Sequence, residues 1–513
     1  MTHHRIVLLP DLRAEIVKQI LRFTTFGGNF GPGLFYSRRI GKGIDVSPPY
    51  GSMITDAPSN ATILGAAKIT GKTESGMSLG ILSALTDEED FSYRDSANHI
   101  ISQRAEPRAS YNLIRLKQDF FGNSNIGAIV TAVARDSRTP AFTAGTDWNI
   151  FFDNTTYRLD GFLAGSHSVR ATGELRDGSA GKVHFGKVSG EHWLYDISYD
   201  FTSKKYYIND IGFFNSPNDY GVFGTLTYRD QVSGKYFRNY RFDFNQHLRW
   251  NFDRLLLFKE GTFNFTSQFL SYWSLSSSFS YGLPAKDPYE PRGFGVFNTP
   301  THYSASVEIA SDGRKIIIGS AKESFTYNET GQRAHNISGT MIIRPTSAME
   351  YSFSIGYGHE RNRNSFADAI TDSMLTFAPS TPVAVFGMRD VDGIDFTLRG
   401  SLLFTHNLSL QTYNQFFLVK GHYDTFGILK PDGDILSHHY AGVADFNRTS
   451  YITNIVLRWE YREGSTFYFV WSHNRGFRQS GGYNSAFVDN LTNTFSVAPD
   501  NVYVVKVSYW YAL

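Results

Sequence analysis

The stretch Tyr240–Asp253 reads YRFDFNQHLRWNFD and decides the fold, because its polarity alternates at every residue. Apart from Gln246, each even-numbered position is aromatic or leucine, and each odd-numbered position is polar or charged. A β-strand sends successive side chains to opposite faces, so this pattern predicts a strand with one apolar and one charged face. Soluble strands usually have about 5 or 6 residues, whereas a run this long is typical of a tilted strand that crosses a bilayer.

The same alternation recurs along the chain, in Trp193–Phe201, Met349–Tyr357 and Ile394–Phe404. At the C-terminus, alternate residues from Tyr503 to Leu513 form one apolar face that runs to the end of the chain. A strand of this kind commonly closes a membrane barrel against its first strand. The sequence therefore predicts repeated spanning strands with a closing strand at the end.

The links between these strands alternate in length. Short links rich in Gly, Asn, Asp, Ser and Pro, as tight hairpins require, fall at Gly71–Ser75, Phe121–Ser124, Asp153–Thr155, Ser189–Glu191, Asp312–Arg314, Arg344–Ser347, Thr405–Asn407 and Arg462–Gly464. Long links fall at Lys42–Asn60, Thr86–Ala109, Ser203–Tyr220, Leu283–Thr301, Glu360–Pro382, Gly421–Thr449 and Phe477–Asn501. We therefore predict an all-β chain forming a single closed antiparallel transmembrane β-barrel of about 22 strands (range about 18–24), with short periplasmic turns and long extracellular loops.

Composition excludes several other classes of protein. The 513 residues carry 49 Lys+Arg and 48 Asp+Glu, so the chain lacks the basic excess typical of a nucleic-acid binder. Aromatic residues make up 16% of the chain, yet the mean hydropathy is −0.29, and no stretch approaches the roughly 18 apolar residues of a spanning helix. The absence of cysteine excludes disulfides, thiolate metal sites and cysteine nucleophiles.

Two regions are predicted along the chain. Residues 1–33 form an N-terminal segment, periplasmic or lumenal, and residues 34–513 form the barrel. The first 20 residues lack the long apolar core of a secretory signal, so the chain shown is either the mature protein or a fragment of a longer one. A barrel of about 22 strands encloses a wide bore, and residues 1–33 are too few to fill it. Inward-folded loops, an N-terminal domain absent from this chain, or a partner protein could each do so.

Membrane physics assigns the two strand faces. Hydrocarbon cannot hydrogen-bond a sheet edge, so the sheet must close, with its apolar face toward lipid and its charged face toward the lumen. The lumen-facing candidates are Arg241, Asp243, Arg249, Asp253, Glu350, Asp395, Arg399, Arg458, Glu460 and Lys506. Because both signs are present, salt-bridge ladders are favoured over a lining that selects a substrate.

Several segments resemble a family of bacterial outer-membrane barrels of undefined function. They are Leu34–Gly41 (LFYSRRIG), Ile63–Thr73 (ILGAAKITGKT), Ser78–Thr86 (SLGILSALT), Leu113–Val130 (LIRLKQDFFGNSNIGAIV) and the ending Val505–Tyr511 (VKVSYWY). Longer members, mostly from Bacteroidetes-like bacteria, carry a signal peptide and a family-9 carbohydrate-binding-like module ahead of the barrel. The resemblance implies an outer-membrane location and a link to glycans, and it supplies no catalytic residues.

Motifs that suggest other chemistry do not meet their spacing requirements. Gly71-Lys72-Thr73 follows the nearest upstream glycine at the wrong distance for a phosphate-binding loop. The Asp-rich turns at 390–393 and 432–434 lack the downstream glutamate of a calcium loop. A cluster of metal-ligand types in one long link matches no standard metal site: His422, Asp424, His438 and His439. Ser and His are present, but the sequence marks no set of nucleophile, base and orienting group, so we expect no cofactor, no metal and no enzymatic activity.

These observations leave the function open between classes. The first hypothesis is a porin-like pore, transporter or partner-gated channel of the bacterial outer membrane, or an anchor for a surface assembly. The second is a surface glycan-handling protein whose loop aromatics stack on sugar rings, with the candidates Tyr289, Phe294, Phe297, Tyr423, Phe426 and Tyr440. A soluble β-propeller or solenoid is the third. The expected partners are outer-membrane lipid, a plug or a periplasmic or surface protein, and glycan, but not nucleic acid.

Overall fold

The structure, a computed structural model, describes residues 44, 46, 48–49, 52–58, 61–170, 172–212, 214, 217–375, 377–378 and 381–510. Three sequence predictions lie outside these residues. They are the N-terminal segment 1–33, the first strand at Leu34–Gly41, and the end of the last strand at Tyr511 and Leu513.

Twenty-two strands form one large antiparallel sheet. Its first half consists of β2 (Ile63–Lys72), β3 (Met77–Thr86), β6 (Ala109–Phe120), β7 (Ser124–Arg135), β8 (Arg138–Phe152), β9 (Tyr157–Val169), β10 (Leu175–Lys187), β11 (Trp193–Thr202), β12 (Asp219–Asp230), β13 (Phe237–Trp250) and β14 (Leu256–Phe269). Its second half consists of β15 (Ser274–Gly282), β18 (His302–Ala310), β19 (Ile317–Asn328), β20 (Arg333–Thr346), β21 (Met349–Ile370), β22 (Val383–Thr405), β23 (Leu408–Leu429), β24 (Ile435–Ser437), β25 (Phe446–Arg462), β26 (Ser465–Ser480) and β27 (Asp500–Ser508).

Five further strands and one helix lie outside the large sheet. A small sheet joins β1 (Met53–Asp56), β4 (Glu89–Arg94) and β5 (Ile100–Glu106), and a hairpin joins β16 (Ala285–Asp287) and β17 (Phe297–Thr299). Helix α1 (Phe487–Ser496) precedes β27. The described part of the chain thus has 27 strands, more than the predicted 22, because the prediction counted spanning strands only. None of its helices is long and apolar enough to cross a membrane.

Each strand of the large sheet pairs with the next along the chain. This ladder runs from β2 to β27, and β24 pairs only with the last residues of β23, so that β23 also pairs with β25. Such a meander needs only hairpin links, and the register of every strand is set by the preceding turn.

The links confirm that one end of the sheet differs from the other. At one end, hereafter the short-link end, strands are joined by two to six residues, as at 73–76, 347–348 and 463–464. At the other, the long-link end, six links have 12 to 22 residues, and they cover 87–108, 203–218, 283–301, 371–382, 430–445 and 481–499.

Three of the long links are shorter than the sequence predicts. Strands β21, β23 and β26 continue to Ile370, Leu429 and Ser480, well inside the predicted links that begin at Glu360, Gly421 and Phe477. These extensions carry polar residues on both faces, so the alternation that identified the strands ends before the backbone pairing does. The long-link end also has four short hairpins, at 136–137, 170–174, 251–255 and 329–332.

The two faces of the sheet differ in chemistry, as the alternation predicts. On β13, Phe242 lies beside Phe265 of β14, with ring centroids 4.8 Å apart. The neighbouring Asp243 points to the opposite side, where it accepts a hydrogen bond from Thr227 of β12. We call the side that carries Phe242 the apolar face and the side that carries Asp243 the polar face.

Aromatic rings border the apolar face near both ends. Trp193 and Tyr228 are in edge contact at 5.0 Å toward the short-link end, and Tyr220 stacks on Trp250 at 5.9 Å toward the long-link end. Between them lies Leu226, which is exposed. Tyr220 and Tyr228 are eight residues apart, which is about 27 Å along a strand and nearer 20 Å across a bilayer at a tilt of about 40°. Two aromatic belts flanking an apolar band about 25 Å tall are typical of membrane barrels.

Candidate functional site: the polar face and the segment that covers it

Strand register places nine of the ten predicted lumen-facing residues on the polar face. They are Arg241, Asp243, Arg249, Glu350, Asp395, Arg399, Arg458, Glu460 and Lys506. The prediction for the tenth, Asp253, is wrong. Strand β13 ends at Trp250, and Asp253 lies in the following link, where it pairs with Lys204. The alternation runs on for three residues after the strand has ended, because the turn happens to keep the same polarity pattern.

Opposite charges on the polar face are paired. Arg249 of β13 reaches across two strands to Asp219 of β12 and Asp200 of β11, with N–O distances of 2.9 and 2.8 Å. Arg241 pairs with Asp243 two residues along the same strand, at 2.6 Å. Pairs of this kind favour a self-satisfied ladder over a ring of one sign, which is the arrangement that selects ions by charge.

Basic residues elsewhere on the polar face also use aromatic rings. The guanidinium carbon of Arg399 lies 5.2 Å from the ring centroid of Tyr413. Lys506 lies 5.2 Å from the ring of Tyr468, whose hydroxyl accepts a hydrogen bond from Arg458 at 3.1 Å. Contacts of a cation with a ring face add an attraction that carboxylates do not supply.

A further group of charged residues on the polar face escaped the sequence analysis. They are Arg115, Asp147, Asp160, Lys182 and His184, on β6, β8, β9 and β10. Each sits among small or apolar neighbours, in a strand whose alternation is weaker than that of β13. One feature of the sequence could have predicted charges here. Arg115, Lys117 and Asp119 are spaced two residues apart, which places three charged side chains on one face of β6.

Arg115 and Asp147 form the most buried ion pair of this group. Two hydrogen bonds of 2.6 and 2.8 Å join the guanidinium to the carboxylate, and the Arg115 side chain is only 2% exposed. Gly127, on the strand between them, makes room for the pair. A Cβ at Gly127 would lie 2.6 Å from an Arg115 nitrogen and 2.7 Å from an Asp147 oxygen.

The link between β11 and β12 folds over this part of the polar face. We call its described residues 203–212 and 214 the inner segment. Tyr206 and Ile208 pack in one buried cluster with Leu113, Phe162 and Ala180 of the wall. Because all three wall residues have the parity of the polar face, the inner segment covers that face and not the apolar one. This placement is the one expected if inward-folded loops fill the bore, which is the first of the three possibilities that the sequence leaves open.

Polar contacts also hold the inner segment. Asp210 pairs with Arg135 of β7 at 2.7 Å, and the same arginine pairs with Glu106 at 2.8 Å. The Tyr207 backbone N–H donates to Ser166 Oγ at 3.0 Å. Side chains of two wall strands, β7 and β9, therefore both hold the inner segment.

Tyr206 contributes apolar contact without a hydrogen bond. Gly178 allows the backbone of Tyr206 to approach closely, since a Cβ at Gly178 would lie 2.3 Å from the Tyr206 nitrogen. The Tyr206 hydroxyl is buried and has no hydrogen-bond partner among the described residues, and burial raises the pKa of Tyr206. An unmade hydrogen bond costs about 1–3 kcal/mol, so the docked position is less stable than its packing alone would make it.

Two other long links meet at the long-link end. Asn298, in the link after β15, donates to Asp434 at 2.7 Å, in the link after β23. Phe297 stacks on Phe386 of β22, with ring centroids 5.0 Å apart. The Tyr289 hydroxyl donates to the Pro217 carbonyl at 3.4 Å, which connects these links to the one that holds the inner segment.

Beneath these links lies a cavity of about 430 Å³. Its lining includes polar and charged residues, among them Lys286, Glu290, His302, Asn328 and Arg363, and apolar ones, among them Leu257, Phe258, Leu283 and Phe297. Its volume falls in the range of small-molecule sites, which is about 300–1,000 Å³.

The six aromatic candidates for sugar stacking differ in environment. Tyr289 and Phe294 are exposed. Phe297, Phe426 and Tyr440 pack against buried clusters of the loops, and the Tyr440 hydroxyl donates to Asp368 at 2.7 Å. That hydrogen bond, with burial, raises the pKa of Tyr440 to about 12. Tyr423 and Phe426 lie on β23 and not in a loop as expected.

Two of the three histidines considered as metal ligands lie beside carboxylates outside the predicted cluster. His422 bonds to Asp445 at 2.8 Å, and His438 lies 3.7 Å from Asp372. Within the described part of the chain, no group of three or more His, Cys, Asp and Glu residues is placed to hold a metal ion.

Comparison with known proteins identifies a family but no function. The family described as Domain of unknown function (DUF5916) matches residues 30–512. No curated protein matches the chain in sequence. Among solved structures, the FrpB iron transporter of Neisseria meningitidis (F5-1 variant, apoprotein form) aligns over 82% of this chain and 74% of its own, at 9% identity and a TM-score of 0.39. The outer-membrane transporter YddB of Escherichia coli aligns over 86% of this chain and 67% of its own, at 9% identity and a TM-score of 0.40. Likenesses this distant carry no argument about what the present chain binds or transports.

Proposed function

The chain belongs to the family described as Domain of unknown function (DUF5916), and we propose that it is an outer-membrane β-barrel that passes a polar solute past a movable internal segment. The observation that carries the proposal is the inner segment lying on the charged face of a sheet whose opposite face is apolar.

The large sheet supports a membrane barrel, since 22 strands pair in one antiparallel meander among the described residues. An unpaired edge in hydrocarbon is costly, so a sheet of this kind that spans a bilayer closes on itself.

The inner segment supports a controlled passage. It is held by an ion pair, a backbone hydrogen bond and apolar packing, but among the described residues the Tyr206 hydroxyl has no hydrogen-bond partner. A segment held in this way can be displaced by a solute or by a partner protein without unfolding the barrel wall.

Single-channel recording in planar bilayers tests the proposal. The wild-type protein is compared with a variant in which residues 205–211 are replaced by a short Gly-Ser linker. The control carries the same linker in place of residues 232–236, in the link at the opposite end of the sheet. We expect little steady conductance from the wild type and the control, and a stable ohmic step from the 205–211 variant. Equal conductance in all three proteins, or silence in all three, would contradict the proposed role of the segment.

A glycan-handling function is the second candidate, supported by the two exposed aromatic residues and the cavity nearby. Tyr289 is 53% exposed, and the cavity reaches it and Glu290. If sugars stack here, Tyr289→Ala abolishes binding on a glycan array, whereas Tyr281→Ala, on the apolar face of β15, leaves it unchanged. Absence of binding by the wild type would remove this candidate.

A further inference from the structure

Helix α1 lies on the outside of the sheet wall, at the long-link end. Asn490 accepts a hydrogen bond of 2.5 Å from Asn447, and Thr494 bonds to Thr449, both on β25. Asn447 and Thr449 are each an even number of residues from Trp459 along β25. Their side chains therefore lie on the same side of the sheet as Trp459, which is the apolar face. The helix therefore packs against the same side of the wall as the apolar band.

The residues that α1 buries are polar, unlike those of a helix in a soluble protein. Asn490 and Thr494 are fully buried. Asn490 and Thr494 lie on one line along the helix, where it contacts the wall. At 100° per residue, the other residues fall on two flanks, one on each side of that line. One flank is apolar and consists of Phe487, Val488, Leu491 and Phe495. The other is polar and consists of Asp489, Thr492, Asn493 and Ser496.

The apolar flank is turned toward the apolar band. Phe495 contacts Tyr451 at 5.0 Å, and Phe487 contacts Phe416 at 5.8 Å. Tyr451 and Phe416 are partners across β23 and β25, and they lie closer to the short-link end than Asn447 and Thr449 do. The polar flank accordingly faces away from the band.

The contact lies on the long-link side of a stacked aromatic pair of the apolar face. Trp471 of β26 stacks on Tyr503 of β27 with ring centroids 6.3 Å apart, and Tyr451 pairs with Arg475, four residues along β26 from Trp471. Aromatic belts mark the boundary between acyl chains and headgroups.

Both ends of α1 are fixed to the protein. Arg475 of β26 donates to the carbonyls of Phe495 and Val497, which are the unsatisfied groups at the C-terminal end of a helix. Lys420 of β23 donates to the Ser485 carbonyl at 3.1 Å, just before the helix. Contacts at both ends therefore hold the helix on the protein. Part of its apolar flank stays exposed, since Val488, its most exposed apolar residue, is 67% exposed.

We propose that α1 is an interfacial helix that lies along the outer-leaflet boundary, with its apolar flank among the lipid headgroups and upper acyl chains and its polar flank in water. The partner of this surface is the lipid itself. A short helix with one apolar and one polar flank and low overall hydrophobicity is the kind that lies in a membrane interface. The inference rests on the proposed membrane barrel and adds the depth at which the barrel sits.

Fluorescence quenching by lipid measures that depth. Because the chain has no cysteine, Val488→Cys, Asp489→Cys and Val505→Cys each give a single attachment site for an environment-sensitive dye. Val488 and Asp489 are neighbours on opposite flanks, and Val505 lies mid-strand on the apolar face of β27. Each labelled protein is reconstituted in phosphatidylcholine vesicles with and without brominated acyl chains.

The proposal predicts at least a two-fold stronger quenching at position 488 than at 489, with position 505 quenched most. If 505 is quenched while 488 and 489 are both unquenched, or quenched alike, the helix does not lie in the interface although the barrel does cross the membrane. If 505 is not quenched either, the apolar face does not meet lipid, and the barrel proposal fails together with this one.

Discussion

Gly127 shows how a single residue without a side chain permits a charge pair inside the wall. The guanidinium of Arg115 and the carboxylate of Asp147 occupy the space beside the Gly127 backbone, where any Cβ would overlap both. Sequence reasoning predicts neither the pair nor this space, because both depend on which strands are neighbours. The alternation of a strand gives the face of a residue but not its partner.

Gly127→Ala is therefore expected to destabilise the protein by about 1–3 kcal/mol, the usual cost of overpacking, because the added methyl displaces the paired ends of Arg115 and Asp147. Gly165→Ala on β9 is the matched control, since the nearest atom to its added Cβ is 3.9 Å away. Urea unfolding in detergent micelles, followed by tryptophan fluorescence, measures the difference in the free energy of unfolding. Equal stability of the two variants would contradict the buried pairing.

Neighbouring residues on β12 separate the two faces. Leu226 is exposed near the middle of the apolar face, and Thr225 lies on the polar face. Leu226→Arg is expected to destabilise the folded barrel in bilayers by about 2–4 kcal/mol, the range for arginine at a bilayer midplane, and Thr225→Arg by much less. Reversible folding into lipid vesicles from urea gives both values, and the opposite ranking would contradict the assignment of the faces.

At the scale of elements, the strands that alternate most regularly are the ones that sequence alone locates. β13 and the pattern of short links are found where they were predicted. The extensions of β21 and β23 were missed because strands beyond the apolar band need no apolar residues and lose the alternation. The inner segment was missed as a wall contact because Tyr206, Ile208 and Ile211 are too few and too irregularly spaced to predict a partner.

Asp210→Asn tests how the inner segment is held. The substitution removes the ion pair with Arg135 but leaves that arginine paired with Glu106, so the wall keeps a charge-balanced pair. Amide hydrogen exchange in detergent is expected to be faster at 206–212 than in the wild type and unchanged in β20. Asp177→Asn, at an exposed carboxylate of β10 that bonds only to His167 among the contacts described, is the control. Unchanged exchange in the segment would mean that the ion pair does not hold it.

At the scale of the whole molecule, the account requires a closed wall with lipid outside and a charged, partly filled interior. The sequence predicts the all-β class and the polarity of each face, since both follow from a two-residue period. It does not predict that the protein's own links cover the polar face and the long-link end, because those contacts join residues far apart in the chain, such as Asn298 and Asp434.

Site-directed spin labelling along β14 tests the assignment of the faces most directly. Single cysteines carrying a nitroxide at positions 262, 263, 264 and 265 of the otherwise cysteine-free chain report local access to oxygen, which concentrates in lipid, and to a water-soluble nickel chelate. We predict high oxygen access at Phe263 and Phe265, and high chelate or solvent access at Thr262 and Asn264. A reversed pattern, or equal access at all four positions, would contradict the account.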